Sequence, residues 1–287
     1  MKISLVIFSK NRPLQLDLCL NSLVNLKMDY KVNVIYTCDD DYKQAYETVQ
    51  KDHPSVEFWT QSNSLFKDVL MLVATCDNGY IMFLTDDCIV YTESPDLKDE
   101  CFTDSICCYS LRLGLNTNKR AVHNANGTEV MIDDPLQYAP DQKLYRYEYG
   151  VVYDRTQHFF GGYWNYPLSV DGHIFRTGDM FDWMDELVFL QKLKKWKQTP
   201  NEIESALQRF TNLLGPYVGI PLQSCVVNSP NNMVQNSHKN PHALTYNISE
   251  QRLLYEFNRG KRVKLSNLNI DQIHCAHTEL NLLKGLT

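Results

Sequence analysis

The stretch Tyr80–Tyr91, YIMFLTDDCIVY, constrains the fold more than any other part of this chain. Ile81–Leu84, with Tyr80 before them, make a continuous apolar run without alternation, which suits a strand inside a sheet covered on both faces. The run stops on Thr85-Asp86-Asp87, and a second apolar run, Cys88–Tyr91, resumes at once. Two carboxylates between buried segments concentrate negative charge. A divalent cation with oxygen ligands is the usual compensation, because hard cations prefer carboxylates. Asp is also common as a turn residue at a strand end. Taken alone, the pair leaves both readings open.

The preceding residues set this strand in a repeating pattern. Lys2–Phe8 (KISLVIF) predicts a first strand, closed by Ser9-Lys10-Asn11-Arg12-Pro13, with Pro13 suited to the first turn of a helix. Leu16, Leu20, Leu23 and Val24 then recur at helical spacing. Val32–Thr37 predicts a second strand ending in Cys38-Asp39-Asp40-Asp41, followed by a short helix at Tyr42–Gln50. Val56–Trp59 predicts a third strand, and Phe66–Thr75 a helix with Phe66, Val69, Leu70 and Val73 on one face. Such alternation implies a mostly parallel α/β sheet flanked by helices, and ligands bind such sheets at the carboxyl ends of the strands. All four strand ends here are polar.

Beyond Phe102 the pattern loosens. Asn116–Tyr145 reads as loops and short antiparallel strands, Pro167–Arg176 as a strand, and Met180–Trp196 and Asn201–Leu214 as helices. Leu222–Val227 reads as a strand and Ile248–Arg259 as a helix, and Ile273-His274-Cys275-Ala276-His277 is an isolated polar cluster. No internal repeat and no domain boundary stands out. The chain of 287 residues is taken as one unit: 1–100 as a ligand-binding half, 101–215 as a second half and 216–287 as a C-terminal extension.

Composition narrows the function classes. Hydrophobic residues at 44% allow a full core, and a net charge of −6 argues against a general nucleic-acid binder. The apolar run at the N-terminus is too short for a signal peptide, and no run approaches a membrane span. The nine cysteines are scattered, without a CxxC pair, and read as reduced core residues of a cytoplasmic protein.

The order strand–SKNRP–helix, strand–DDD, strand–helix, strand–TDD resembles the nucleotide-sugar half of a glycosyltransferase of the GT-A fold, over roughly the first third of the chain. The resemblance implies a Rossmann-like sheet, a UDP- or GDP-sugar donor and a glycan or other hydroxyl acceptor. It also implies Mn²⁺ or Mg²⁺ at the carboxylate pair, although Thr85-Asp86-Asp87 departs from strict D-x-D. By that likeness Asp87 is a metal ligand and Asp86 faces the sugar or ribose. Ser9, Asn11 and Arg12 stand where the family's first loop meets the nucleoside, Asp39 where an acidic residue reads the base, and Lys67 near ribose or phosphate. A C-terminal histidine completes the metal sphere in some members, which points to His277, with His274 competing.

Glycosyl transfer builds charge on the leaving diphosphate, which a metal stabilises, and an inverting transferase needs a base for the acceptor hydroxyl. The family places a carboxylate for this after the acceptor-side strand. Asp171, Glu204 and Glu202 qualify in that order. Asp171 adjoins Gly172, whereas the two Glu sit where first-turn acids favour a helix dipole. Trp164 and Tyr163, beside Gly161-Gly162, offer flat faces for an acceptor sugar. Two rival readings stand: a nucleotidyltransferase, which lacks its glycine-rich first loop here, and a non-catalytic nucleotide-sugar-binding protein.

Overall fold

The computed structural model describes residues 1–123, 129–133, 145–147, 149–156, 162–191, 199–232 and 245–287. The chain opens with β1 (Lys2–Lys10), α1 (Pro13–Ser22), β2 (Asp29–Thr37), α2 (Lys43–Asp52), β3 (Glu57–Thr60), α3 (Leu65–Ala74) and β4 (Tyr80–Thr85). Short strands come next: β5 (Cys88–Val90), β6 (Ile106–Ser110), β7 (Lys119–His123), β8 (Glu129–Asp133), β9 (Tyr145–Tyr147), β10 (Gly150–Asp154) and β11 (His173–Arg176). Then come α4 (Thr177–Gln191), α5 (Pro200–Leu207), β12 (Tyr217–Ile220), β13 (Val226–Asn228) and α6 (Glu250–Asn258).

Nine strands form one sheet in the order β3-β2-β1-β4-β11-β6-β12-β10-β9. Only β11 and β10 run against the rest, so the sheet is mostly parallel in direction. Successive residues of a strand project to opposite faces. Ile3, Leu5, Ile7, Met82 and Leu84 therefore join α1, α2 and α6 in one core, while Val6, Phe8, Ile81 and Phe83 join α3, α4 and α5 in the other. This two-sided cover is why β1 and β4 carry unbroken apolar runs. Each such side chain contributes about 1.5–3 kcal/mol when fully buried.

The helices begin on side-chain caps where the sequence supplies them. Ser64 accepts from Lys67 N at the start of α3, and Thr199 and Glu202 exchange hydrogen bonds in a capping box at α5.

Two strand expectations shorten for local reasons. Of Pro167–Arg176 only His173–Arg176 pairs, because Gly172 takes φ +87 and its N–H bonds Phe83 O at 2.8 Å, which turns the chain out of register. Of Leu222–Val227 only Val226 and Val227 pair, as part of β13 against β5, while the main-sheet strand β12 lies wholly before the expected range and ends at Ile220, ahead of Pro221, which has no N–H to give a ladder. The helix expected at Met180–Trp196 starts three residues earlier, at Thr177, and its last part lies outside the described residues. The expected loops and strands of Asn116–Tyr145 include the β7–β8 hairpin, and the rest of that stretch largely lies outside them.

The direction of β11 decides which residues meet at the sheet's edge. Because it opposes β4, its amino end, with Asp171 just before it, lies beside the carboxyl ends of β1, β4 and β6. No helix among the described residues is long and apolar enough to cross a membrane, and all nine cysteines are free.

Candidate active site

At the end of β4 the chain turns through Asp86 and Asp87, which are only 3% and 7% exposed. Arg12, itself 8% exposed, reaches across from the end of β1. Its Nη1 donates to Asp86 Oδ1 at 3.1 Å and to Asp87 Oδ2 at 2.9 Å. The other oxygens of the pair are also met. Asp86 Oδ2 accepts from Ser9 Oγ (2.9 Å) and Lys10 N (3.0 Å), and Asp87 Oδ1 accepts from Thr85 Oγ1 (2.7 Å) and Asn228 Nδ2 (2.9 Å). Arg12 is clamped from behind by Asn232, whose side-chain oxygen lies 2.7 Å from Nε and whose carbonyl accepts from Nη2. Ser9 is held in turn by Tyr46 of α2, hydroxyl to hydroxyl at 2.6 Å.

The same loop carries a second lock. Asn11 adopts φ +53, a left-handed conformation that Asn tolerates better than most residues. There its side chain exchanges two hydrogen bonds with Asp39 at the end of β2: Nδ2 to Asp39 Oδ2 (2.7 Å) and Asp39 N to Oδ1 (2.9 Å). The first loop and the DDD turn are thus fastened together.

A second carboxylate cluster adjoins the first. Thr85 Oγ1, already 2.7 Å from Asp87, lies 3.1 Å from Asp171 Oδ1, so one hydroxyl proton sits between two carboxylates. Asp171 Oδ2 faces Arg112 Nη1 at 3.4 Å and His277 Nε2 at 3.7 Å. Tyr163 packs on both, with Arg112 over its ring at 5.3 Å and the His277 ring at 4.9 Å. Glu204 reaches in from α5, and its Oε1 accepts from Val170 N at 3.1 Å.

The environment drives these acids apart. Burial pushes Asp171 upward, but the facing His277 and the Arg112 charge, helped by the Thr85 hydrogen bond, outweigh it and hold the carboxyl below the ordinary Asp range. Glu204 moves the other way, pushed up to about 7 by burial and the nearby Asp171 charge, against hydrogen bonds from Ser169 and Val170. Asp86 is raised to about 6 by burial and Asp87, with Arg12 opposing.

The expected site residues therefore gather unevenly. Ser9, Asn11, Arg12, Asp39, Asp86, Asp87, Asp171, Glu204 and His277 all meet in the contacts above. Glu202 is held in the capping box, its Oε2 accepting from Thr199 N at 3.1 Å. Lys67 is exposed on the first turn of α3, and among the described residues no hydrogen bond or ion pair joins its side chain to the cluster. His274 is exposed too, so His277 is the histidine that faces this edge. The aromatic expectation needs correction at Trp164. It is 1% exposed and packs edge-on against Tyr153 in the core, so it presents no face to an acceptor, whereas half-buried Tyr163 borders the cluster. Gly161, the first of the two glycines beside them, lies outside the described residues.

As arranged, these residues do not fit a divalent cation. All four oxygens of Asp86 and Asp87 already accept from protein donors, and His277 turns its Nε2 to Asp171. Among the described residues no three His, Cys, Asp or Glu side chains group as metal ligands would.

Motif and periodicity do not single out Arg112, Asn228 and Asn232. Arg112 has a usable signal, since a lone charge in the apolar segment ICCYSLRL needs a buried partner. The two asparagines have none, because their partners lie 141 and 220 residues away.

No known protein-family profile matches the chain. Over 216 residues it is 24% identical to the bifunctional glycosyltransferase pgtA of Dictyostelium discoideum, a match covering 70% of this chain and 27% of that protein. The chain thus spans about a quarter of the length of that relative. Among solved structures, S. aureus TarS aligns with a TM-score of 0.43 at 14% identity, covering 80% of this chain and 37% of the other. TarS 1–349 in complex with UDP gives 0.40 at 15% identity, covering 77% and 60%. In sequence, then, the chain is similar to a glycosyltransferase, the class its SKNRP, DDD and TDD stretches resemble.

Proposed function

We propose that this chain transfers a sugar from a nucleoside-diphosphate sugar, UDP- or GDP-linked, to a hydroxyl of a glycan or similar acceptor, with inversion at the anomeric carbon. The observation that carries this reading is the position of Thr85. Its hydroxyl lies between Asp87 and Asp171, so the strand-end carboxylates and the candidate base belong to one constellation at the carboxyl edge of the sheet. The sequence relative that bears a glycosyltransferase name supports the same class.

In this reading the nucleoside lies along the Asn11–Asp39 lock, which pairs a fixed amide with a carboxylate that accepts from a base edge. The acceptor oxygen attacks the anomeric carbon while the bond from that carbon to the diphosphate breaks, and the hydroxyl proton passes to Asp171. Asp171 is available to accept it because Arg112 and His277 keep it ionised and its side chain retains 13% exposure, although the same contacts make it a weaker base than an ordinary Asp. Glu204, raised to about 7, is the neighbouring carboxyl able to exchange a proton near neutral pH.

The test is a panel of UDP- and GDP-sugars assayed for nucleoside-diphosphate release with and without hydroxyl acceptors. One donor is expected to be turned over, faster with acceptor, and Asp171→Asn should lose transfer while still binding that donor. Full transfer by a stable Asp171→Asn protein would remove it as the base. The saturated carboxylate pair favours one second reading, a nucleotide-sugar-binding protein without turnover. It is the answer if donors bind and none is ever released as diphosphate, to acceptor or to water.

A further inference from the structure

We infer that Arg12 stands where a divalent cation would sit at this carboxylate pair, so that a nucleoside diphosphate binds this edge of the sheet without metal. Asp86 Oδ1 and Asp87 Oδ2 converge on a single point, as two carboxylates do around a shared cation, and Arg12 Nη1 occupies that point at 3.1 and 2.9 Å. Their remaining oxygens face Ser9, Lys10 N, Thr85 and Asn228, so no lone pair is aimed at a second ion on the far side.

The guanidinium is also fixed in place. Asn232 holds Nε and Nη2 from behind, while the backbone leading into Arg12 is set by left-handed Asn11 and followed by Pro13 at the start of α1. A cation entering here would have to expel Arg12 from both carboxylates. It would leave a buried charge facing only Asn232, which is an unfavourable exchange. The planar guanidinium can serve both acids from one nitrogen and stays charged at every working pH.

The consequence for donor binding rests on the proposed transferase reading, but the assignment of Arg12 to the cation position does not. Both are tested on the full chain by calorimetric titration of UDP and GDP, once in EDTA and once in excess Mn²⁺. Equal affinity in the two buffers, within a factor of about two, is the expected result. Binding that needs Mn²⁺ and is lost in Asp87→Asn would overturn the inference and leave the transferase reading standing. No binding of either nucleotide in either buffer would overturn the metal-free donor binding together with the transferase reading, and the assignment of Arg12 is then decided by the melting measurement. A second measurement addresses Arg12 directly. Mn²⁺ should leave the melting temperature of the wild-type chain unchanged and raise that of Arg12→Met, where the two carboxylates are released to a metal. Mn²⁺ stabilisation of the wild type that vanishes in Asp87→Asn would sink the assignment even if Arg12→Met does not fold.

Discussion

Two carboxylate clusters share one sheet edge and one threonine, yet they are built on opposite plans. Around Asp86 and Asp87 every carboxylate oxygen has a donor, and the compensating charge comes from within, as Arg12. Around Asp171 the contacts are longer, 3.4 Å to Arg112 and 3.7 Å to His277, and the two carboxyls present are driven in opposite directions. A saturated cluster has little left to offer a substrate and mainly fixes the shape of the edge. A cluster that keeps one acid ionised and another near neutrality can move protons. Under the proposed transferase reading, the first is the frame and the second the seat of the chemistry.

The sharpest way to break this contrast is to remove the internal cation. Arg12→Met leaves two buried acids unpaired and should cost about 3–5 kcal/mol of stability in a denaturant titration. A loss indistinguishable from a surface substitution would mean that the first cluster frames nothing. In the second cluster, Asp171→Asn should lower the transfer rate by about 10²–10⁴, with a stability loss smaller than that of Arg12→Met, since it leaves buried Arg112 without its carboxylate but keeps the side chain's shape. A large stability loss with unchanged turnover would reverse the two roles.

Glu204→Gln probes the same cluster through pH. An acid whose folded pKa is raised costs stability as it ionises, so the cost is absent below about 4.5, the ordinary Glu value, and complete above about 7. Melting curves should therefore show wild type losing ground to Glu204→Gln as pH rises through that window, by roughly 1–3 kcal/mol in total. A pH-independent difference would show that Glu204 is not held apart from Asp171. Asp39→Ala acts on binding alone, unfastening the Asn11 lock beside the frame. It should weaken nucleoside-diphosphate binding by about 1–3 kcal/mol, read by calorimetry, while turnover at saturating donor stays close to normal. Unchanged affinity would reduce Asp39 to a turn residue.

Much of this edge is legible in the amino-acid order alone. The apolar runs of β1, β2 and β4 and the polar residues that stop them are local signals, and they mark the loops where Ser9, Arg12, Asp39, Asp86 and Asp87 sit. Asp171 is marked by the glycine after it, and Gly172 does take the left-handed conformation. Trp164 misleads because an aromatic side chain beside glycines looks the same in sequence whether it fills a core or lines a surface. Glu202 and Glu204, two residues apart on one helix, are ranked in sequence with little between them, and only the packing of α5 sends Glu202 to the cap and Glu204 towards Asp171.

Periodicity and strand-end chemistry, read along the chain, determined the alternating architecture and the edge at which ligands are expected, because both are properties of neighbouring residues. What neutralises the carboxylates was decided only in three dimensions. The sequence requires that buried charge at Thr85-Asp86-Asp87 be met by something and is silent on whether that is an ion or a side chain. Folding brings Arg12 from 74 residues away to the carboxylates, Asn228 from 141, and sets Asn232 behind Arg12 across 220. Electrostatic compensation acts through space, so its donors are chosen by the closure of the sheet and the return of the C-terminal segment, and no local pattern names them.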